Sequence, residues 1–126
     1  MSDGNSPELG NTLEQLRRRY PKYAEPAYLF VLEALHWRLQ SLDRPRHLSG
    51  AELAESLRDL ALDRYGPLAR AVLEYWGIAS TADLGEVVFL LIEHGVLDKQ
   101  EGDTREDFEE LFSFEQVFEL EYPWGR

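Results

Sequence analysis

Glu33 and His36 are the residues of this chain best spaced to do chemistry together. Three positions apart on a helix, a carboxylate and an imidazole share one face. Four-helix carboxylate bundles use that spacing to hold two metal ions, with further acids and a second Glu-x-x-His pair from other helices. The second pair is missing here. Glu93 and His94 are adjacent, so their side chains diverge. Glu33 and His36 therefore define an alternative reading, a small metal protein or enzyme with His94 as a further candidate. On a helix as apolar as the one around them, a histidine at the edge of the core is the simpler account.

Other catalytic constellations fail on residue type. The histidines are His36, His47 and His94, and a serine nucleophile needs one of them with a carboxylate behind it. Beyond the first ten residues the serines are Ser41, Ser49, Ser56, Ser80 and Ser113, and three of these sit where helix caps belong. No Gly-x-Ser-x-Gly elbow, glycine-rich phosphate loop or dinucleotide fingerprint occurs. Cysteine is absent, which removes thiol nucleophiles, thiolate zinc sites and disulfides. The reading calls for no cofactor.

Charge offers more. The formal net charge is −11, and between Glu101 and Glu121 nine acids face one base, a local −8. Within and beside that stretch stand Phe108, Leu111, Phe112, Phe114, Val117, Phe118, Tyr122 and Trp124. Phe108, Phe112, Val117 and Phe118 can close a core with the acids as a solvated rim. The functional expectation is an aromatic hot spot ringed by charge that selects a basic partner. Its candidates are Phe112, Phe114, Tyr122 and Trp124 with Glu109 and Glu110, Pro123 keeping the last of these extended. Arg17 and Arg18, in the basic run to Lys22, form a candidate secondary site.

Helix, glycine turn and helix between Ala69 and Leu97 resemble a helix-turn-helix. A groove-reading helix needs Arg, Lys, Asn or Gln on its exposed face. Asp83, Glu86 and Glu93 occupy the polar positions instead, with no base between Thr81 and His94. A winged-helix-like, nucleic-acid-associated protein is thus the third reading, and the acidic balance disfavours it.

The elements that must position these residues are marked by their ends. Ser49-Gly50-Ala51-Glu52 is a capping box, Ser80 to Asp83 opens another helix, and Ser113 to Gln116 repeats the pattern. Gly66-Pro67, Gly77 and Gly95 close helices. We expect a short arm over Thr12 to Tyr20 and a central helix from about Pro26 to Ser41. Further helices are expected from Ser49 to Tyr65, from Pro67 to Trp76 and from Thr81 to His94. The central stripe is Tyr28, Val31, Leu32, Leu35, Leu39 and Leu42, widened by Leu29, Phe30 and Trp37. Trp37 and Trp76 are expected in the core. Gly85, inside the fourth of these long helices, implies close approach of another element.

These signals give an all-α fold, a compact single-domain bundle of about five helices over residues 11–126. Residues 1–10 are expected to be a disordered tail. A short winged-helix-like hairpin between Val96 and Phe114 is the feature most able to alter that architecture. No window reaches about 18 apolar residues, and the N-terminus lacks a basic start followed by an apolar run. No membrane contact or secretory signal is expected, and a cytoplasmic location is the default.

Several strings in register carry a family resemblance: Leu32 to Leu35, Leu57 to Leu62, Tyr65 to Arg70, Trp76 to Ile78 and Thr81 to Phe89, then Asp107-Phe108 and Phe114-Glu115. Over about Pro26 to Phe118 the chain resembles a family of small, uncharacterised conserved hypothetical proteins of planctomycete and verrucomicrobial bacteria. The resemblance implies a bacterial, cytoplasmic, single compact domain and assigns no site residue. The functional expectation is a non-enzymatic interaction or adaptor module for a protein with a basic surface, its oligomeric state open.

Overall fold

Glu25–Gln40 forms the helix (α2) around which the chain is organised in the computed structural model, which describes residues 7–44, 46–97, 108 and 111–120. Ala24 enters in an extended conformation and Pro26 occupies the first turn, where its missing N–H costs nothing. Before it lies α1, Pro7–Arg19; after it come α3, Gly50–Tyr65, a 3-10 turn at Gly66–Leu68, α4, Ala69–Tyr75, and α5, Thr81–Glu93. A π-helical turn at Gln116–Leu120 follows. The fold is all-α, and no strand occurs among the described residues. Of the stretch expected to host a hairpin, Val96 to Phe114, residues 98–107 and 109–110 lie outside them.

The helix α2 packs chiefly on α3, and also on α5 and α1, as expected of a central element. Its buried stripe differs from the expected one. Ala27, Tyr28, Phe30, Val31 and Ala34 are buried, whereas Leu32, Leu35 and Leu39 are only half covered. Ala27 and Ala34 of α2 and Ala54 and Ala61 of α3 are all fully buried, and small side chains let packed helix axes approach. Ser56 is drawn into the same seam, its hydroxyl donating to the Ala34 carbonyl at 2.6 Å. Leu29 and Trp37 fall on the outer face, 37% and 41% exposed, so Trp37 is not a core residue. Trp76 is half-buried and closes an aromatic triangle with Phe30 and Tyr65, ring centroids 5.5 to 5.9 Å apart.

The punctuation holds at atomic detail. Ser49 and Glu52 make the reciprocal capping box, and the Asp83 N–H donates to the Ser80 hydroxyl at 3.2 Å. Gly77 has φ +102°, and the Ile78 N–H returns to the Leu73 carbonyl at 2.9 Å with Ile78 fully buried. Two boundaries moved: α4 begins at Ala69, after a 3-10 turn, rather than at Pro67, and α1 begins at Pro7 rather than Thr12, so residues 7–10 are helical rather than part of a tail. Pro7 suits a first turn, Glu8 favours the positive end of the helix dipole, and Leu9 packs against the core.

Candidate functional site

Among the described residues, two places are the candidates for a site. The first is a hollow of about 370 Å³ lined by Ser80, Thr81 and Ala82 at the start of α5 and by Phe112 and Ser113. The Thr81 hydroxyl, buried, accepts the Leu111 N–H at 3.2 Å and so fixes one wall against the other. Ser113 caps the turn that follows, accepting from the Gln116 N–H at 3.3 Å. Phe112 is half-buried at the rim, its ring stacked with that of Phe114 at 6.0 Å and lying 5.9 Å from the Arg58 guanidinium. Phe114 is not part of an open surface. It is buried and meets Phe118 edge-on at 5.1 Å. Of the expected partner-binding residues, Phe112 alone borders the hollow; Glu109, Glu110, Tyr122 and Trp124 lie outside the described residues.

The second place was not anticipated. Lys22 and Tyr23, in the turn between α1 and α2, converge on Asp83 and Glu86 of α5. The Lys22 ammonium donates to Asp83 Oδ1 at 2.7 Å and the Tyr23 hydroxyl to the same oxygen at 2.9 Å, while Asp83 Oδ2 accepts the Ala79 N–H at 2.9 Å. Tyr23 also contacts Glu86 Oε1. Burial works against ionising Asp83, but the bonds from Lys22, the Ala79 N–H and Tyr23 outweigh it and hold its pKa below the ordinary carboxylate value. The hydrogen bond to Asp83 holds the Lys22 ammonium above its usual pKa. Burial first, then the bonds to Glu86 and Asp83, push the Tyr23 phenol far above the tyrosine range. Tyr28, fully buried beneath, is pushed up to about 12 by burial and by the negative field of Glu86. An ionised carboxylate filled with donors and a phenol locked in its neutral form supply neither a base nor a nucleophile. The cluster is a staple that ties the turn after α1 to the first turn of α5. No local signal announces it, because Tyr23 and Asp83 stand 60 residues apart.

The remaining candidates are dispersed. Glu33 and His36 lie exposed on α2, and Glu33 accepts from Arg64 of α3 at 3.0 Å. No group of three or more His, Asp or Glu placed to hold a metal ion occurs among the described residues. His94 caps α5, its Nδ1 3.0 Å from the Leu90 carbonyl and its ring edge-on to Tyr20. Arg17 pairs with Glu25 at 3.1 Å and Arg18 with Glu14 at 2.8 Å, all well exposed. Of the polar positions of α5 that a nucleic acid would meet, Asp83 and Glu86 are engaged by Lys22 and Tyr23, while Glu93 is exposed. Among the described residues no helix is long and apolar enough to cross a membrane. No family model, curated protein or solved structure matches the chain.

Proposed function

We propose that this protein is a non-enzymatic interaction module that takes a basic segment of a partner protein on its acidic, aromatic C-terminal side. One observation carries the reading: Phe112, within the stretch whose local charge is −8, stands at the rim of an apolar hollow that this stretch forms with the start of α5. A hollow that receives an apolar anchor while surrounding acids meet basic neighbours is the usual anatomy of a binding hot spot. Tyr122 and Trp124 add aromatic contacts, and exposed Arg17 and Arg18 form a secondary site. The locked state of Tyr23 and Asp83 supports a binding role over a catalytic one. A bacterial, cytoplasmic setting belongs to this proposal, carried by the strings that suggested the family resemblance.

The test is affinity capture from a lysate of the native host at about 0.05 M and about 0.5 M salt, where screening lengths differ severalfold. A partner retained at low salt, released at high salt, and weakened by Phe112→Ala or by removal of residues 121–126 is the expected result. Capture indifferent to both changes, in variants with an unaltered circular dichroism spectrum, would show that the surface lies elsewhere.

A further inference from the structure

The guanidinium of Arg58, on α3, stands 5.9 Å from the centre of the Phe112 ring, within reach of a cation–π attraction. Arg19 and Lys22 also stand over rings, but those of Tyr20 and Tyr23, their neighbours in sequence. Arg64, over Phe30, is held by Glu33 across two helices at 3.0 Å. Arg58 differs from all three. It reaches a ring far along the chain, and its ion-pair partner at 2.9 Å is Asp59, the next residue. Its guanidinium can therefore leave Phe112 without parting two elements. The two side chains are 31% and 43% exposed, so the group that leaves enters solvent still beside Asp59.

We infer that Arg58 holds, in the free protein, the place that an arginine of the partner takes in the complex. The inference rests on the proposed function of the hollow and names the chemistry of what enters it: an apolar anchor with an arginine beside it. The anchor fills the space between Ser80, Thr81 and Ala82 on one side and Phe112 and Ser113 on the other. Successive residues of a peptide are about 3.8 Å apart. A residue next to an anchor in the hollow thus falls on its rim, where Phe112 stands, and its guanidinium takes the ring from Arg58.

Geometry and charge both select arginine. The ring already accepts a guanidinium, and a planar, weakly hydrated guanidinium stacks on an aromatic face where a strongly hydrated ammonium does not. Displacing Arg58 costs little, because a part-exposed cation–π contact is weak and Arg58 keeps Asp59. The incoming base joins a stretch whose local charge is −8, which favours it. A ligand without that arginine leaves Arg58 in place and gains nothing from the ring. Arg58 is therefore an internal competitor that sets which basic segments bind.

Calorimetric titration of the full chain tests it, with the peptide acetyl-Gly-Leu-Arg-Arg-Gly-amide and its twin carrying Lys for Arg, at about 0.15 M salt. The arginine peptide should bind more tightly than the lysine one, and Phe112→Ala should weaken it. Arg58→Gln should tighten the arginine peptide by about two- to fivefold, the size of one part-exposed cation–π contact. Arg64→Gln removes the same charge about 9 Å further along α3, beyond a screening length of about 8 Å, and should leave binding unchanged. Binding that Phe112→Ala weakens but Arg58→Gln does not tighten, or that Arg64→Gln tightens equally, would overturn the inference and leave the hollow its role. A lysine peptide that binds as tightly would overturn the choice of arginine. No binding of either peptide, or binding indifferent to Phe112→Ala, would overturn the proposed function and this inference with it.

Discussion

Asp83 shows how much a single side chain can carry. Its carboxylate accepts from a lysine, a phenol and a backbone N–H at once, and so joins the turn after α1 to the start of α5. A phenol has one proton, so Tyr23 serves Asp83 and Glu86 one at a time, and Lys22 supplies the donors that keep Asp83 ionised. The pH dependence follows from the direction of the shift. The pKa of Asp83 is lower in the folded chain, so its contribution to stability is complete above the unfolded value, near pH 4, and disappears as pH falls through the folded value. Asp83→Asn keeps the shape and removes the charge. At pH 7 it should cost about 1 to 3 kcal/mol, the range for hydrogen bonds to a charged group. Urea unfolding of the two proteins at several pH values should show this gap closing below about pH 4. A gap of the same size at pH 7 and pH 3 would mean that the charge of Asp83 contributes nothing.

At the scale of elements, the ends of helices were legible in the sequence and the faces were less so. Ser49, Ser80, Gly77 and Gly95 act within five residues of themselves, so their type alone fixes the hydrogen bonds they make. Which stripe of α2 turns inward depends on the helices packed on it, and there Ala27 and Ala34 are buried while Leu32, Leu35 and Leu39 are half covered. Composition pointed to Phe112 as a candidate surface aromatic but gave no sign of the hollow it shares with Ser80–Ala82, nor of the Tyr23–Asp83 contact. Gly85 was read as a place of close approach, and the neighbour is the Phe108 side chain: a Cβ there would stand 2.7 Å from Phe108 Cβ. Gly77 is the stricter case. It ends the turn after α4 at φ +102°, and an added Cβ would lie 2.1 Å from the Lys22 carbonyl oxygen. That oxygen belongs to the same turn that carries Tyr23, so α4, the turn after α1 and α5 meet at one point. Gly77→Ala should therefore lower stability by about 2 kcal/mol or more, combining the cost of a positive φ with a backbone displacement. Denaturant titration measures it directly. A loss under about 0.5 kcal/mol, the scale of an ordinary surface change, would show that the Lys22 turn gives way freely.

For the molecule as a whole the governing quantity is charge. Ion pairs such as Arg18–Glu14, Arg17–Glu25, Arg64–Glu33 and Arg70–Glu74 join side chains that are between 34% and 71% exposed. Each is worth between nothing and about 1 kcal/mol, and salt weakens all of them. Against them stands a net charge of −11, most of it between Glu101 and Glu121, whose self-repulsion opposes the compact state and is also weakened by salt. The two effects have opposite signs, so one measurement decides between them. The pairs are local and already solvated, while the repulsion sums over 24 acids against 13 bases. Repulsion should win. Raising sodium chloride from about 0.02 M to about 0.5 M shortens the screening length from roughly 20 Å to about 4 Å and should raise the midpoint of thermal unfolding by about 3 °C or more. The experiment is run at one low protein concentration, so that association does not stabilise the fold by mass action. A midpoint that falls with salt would show that the surface pairs outweigh the repulsion. The acidic end would then have to be partnered within the molecule and would not be available to a basic partner.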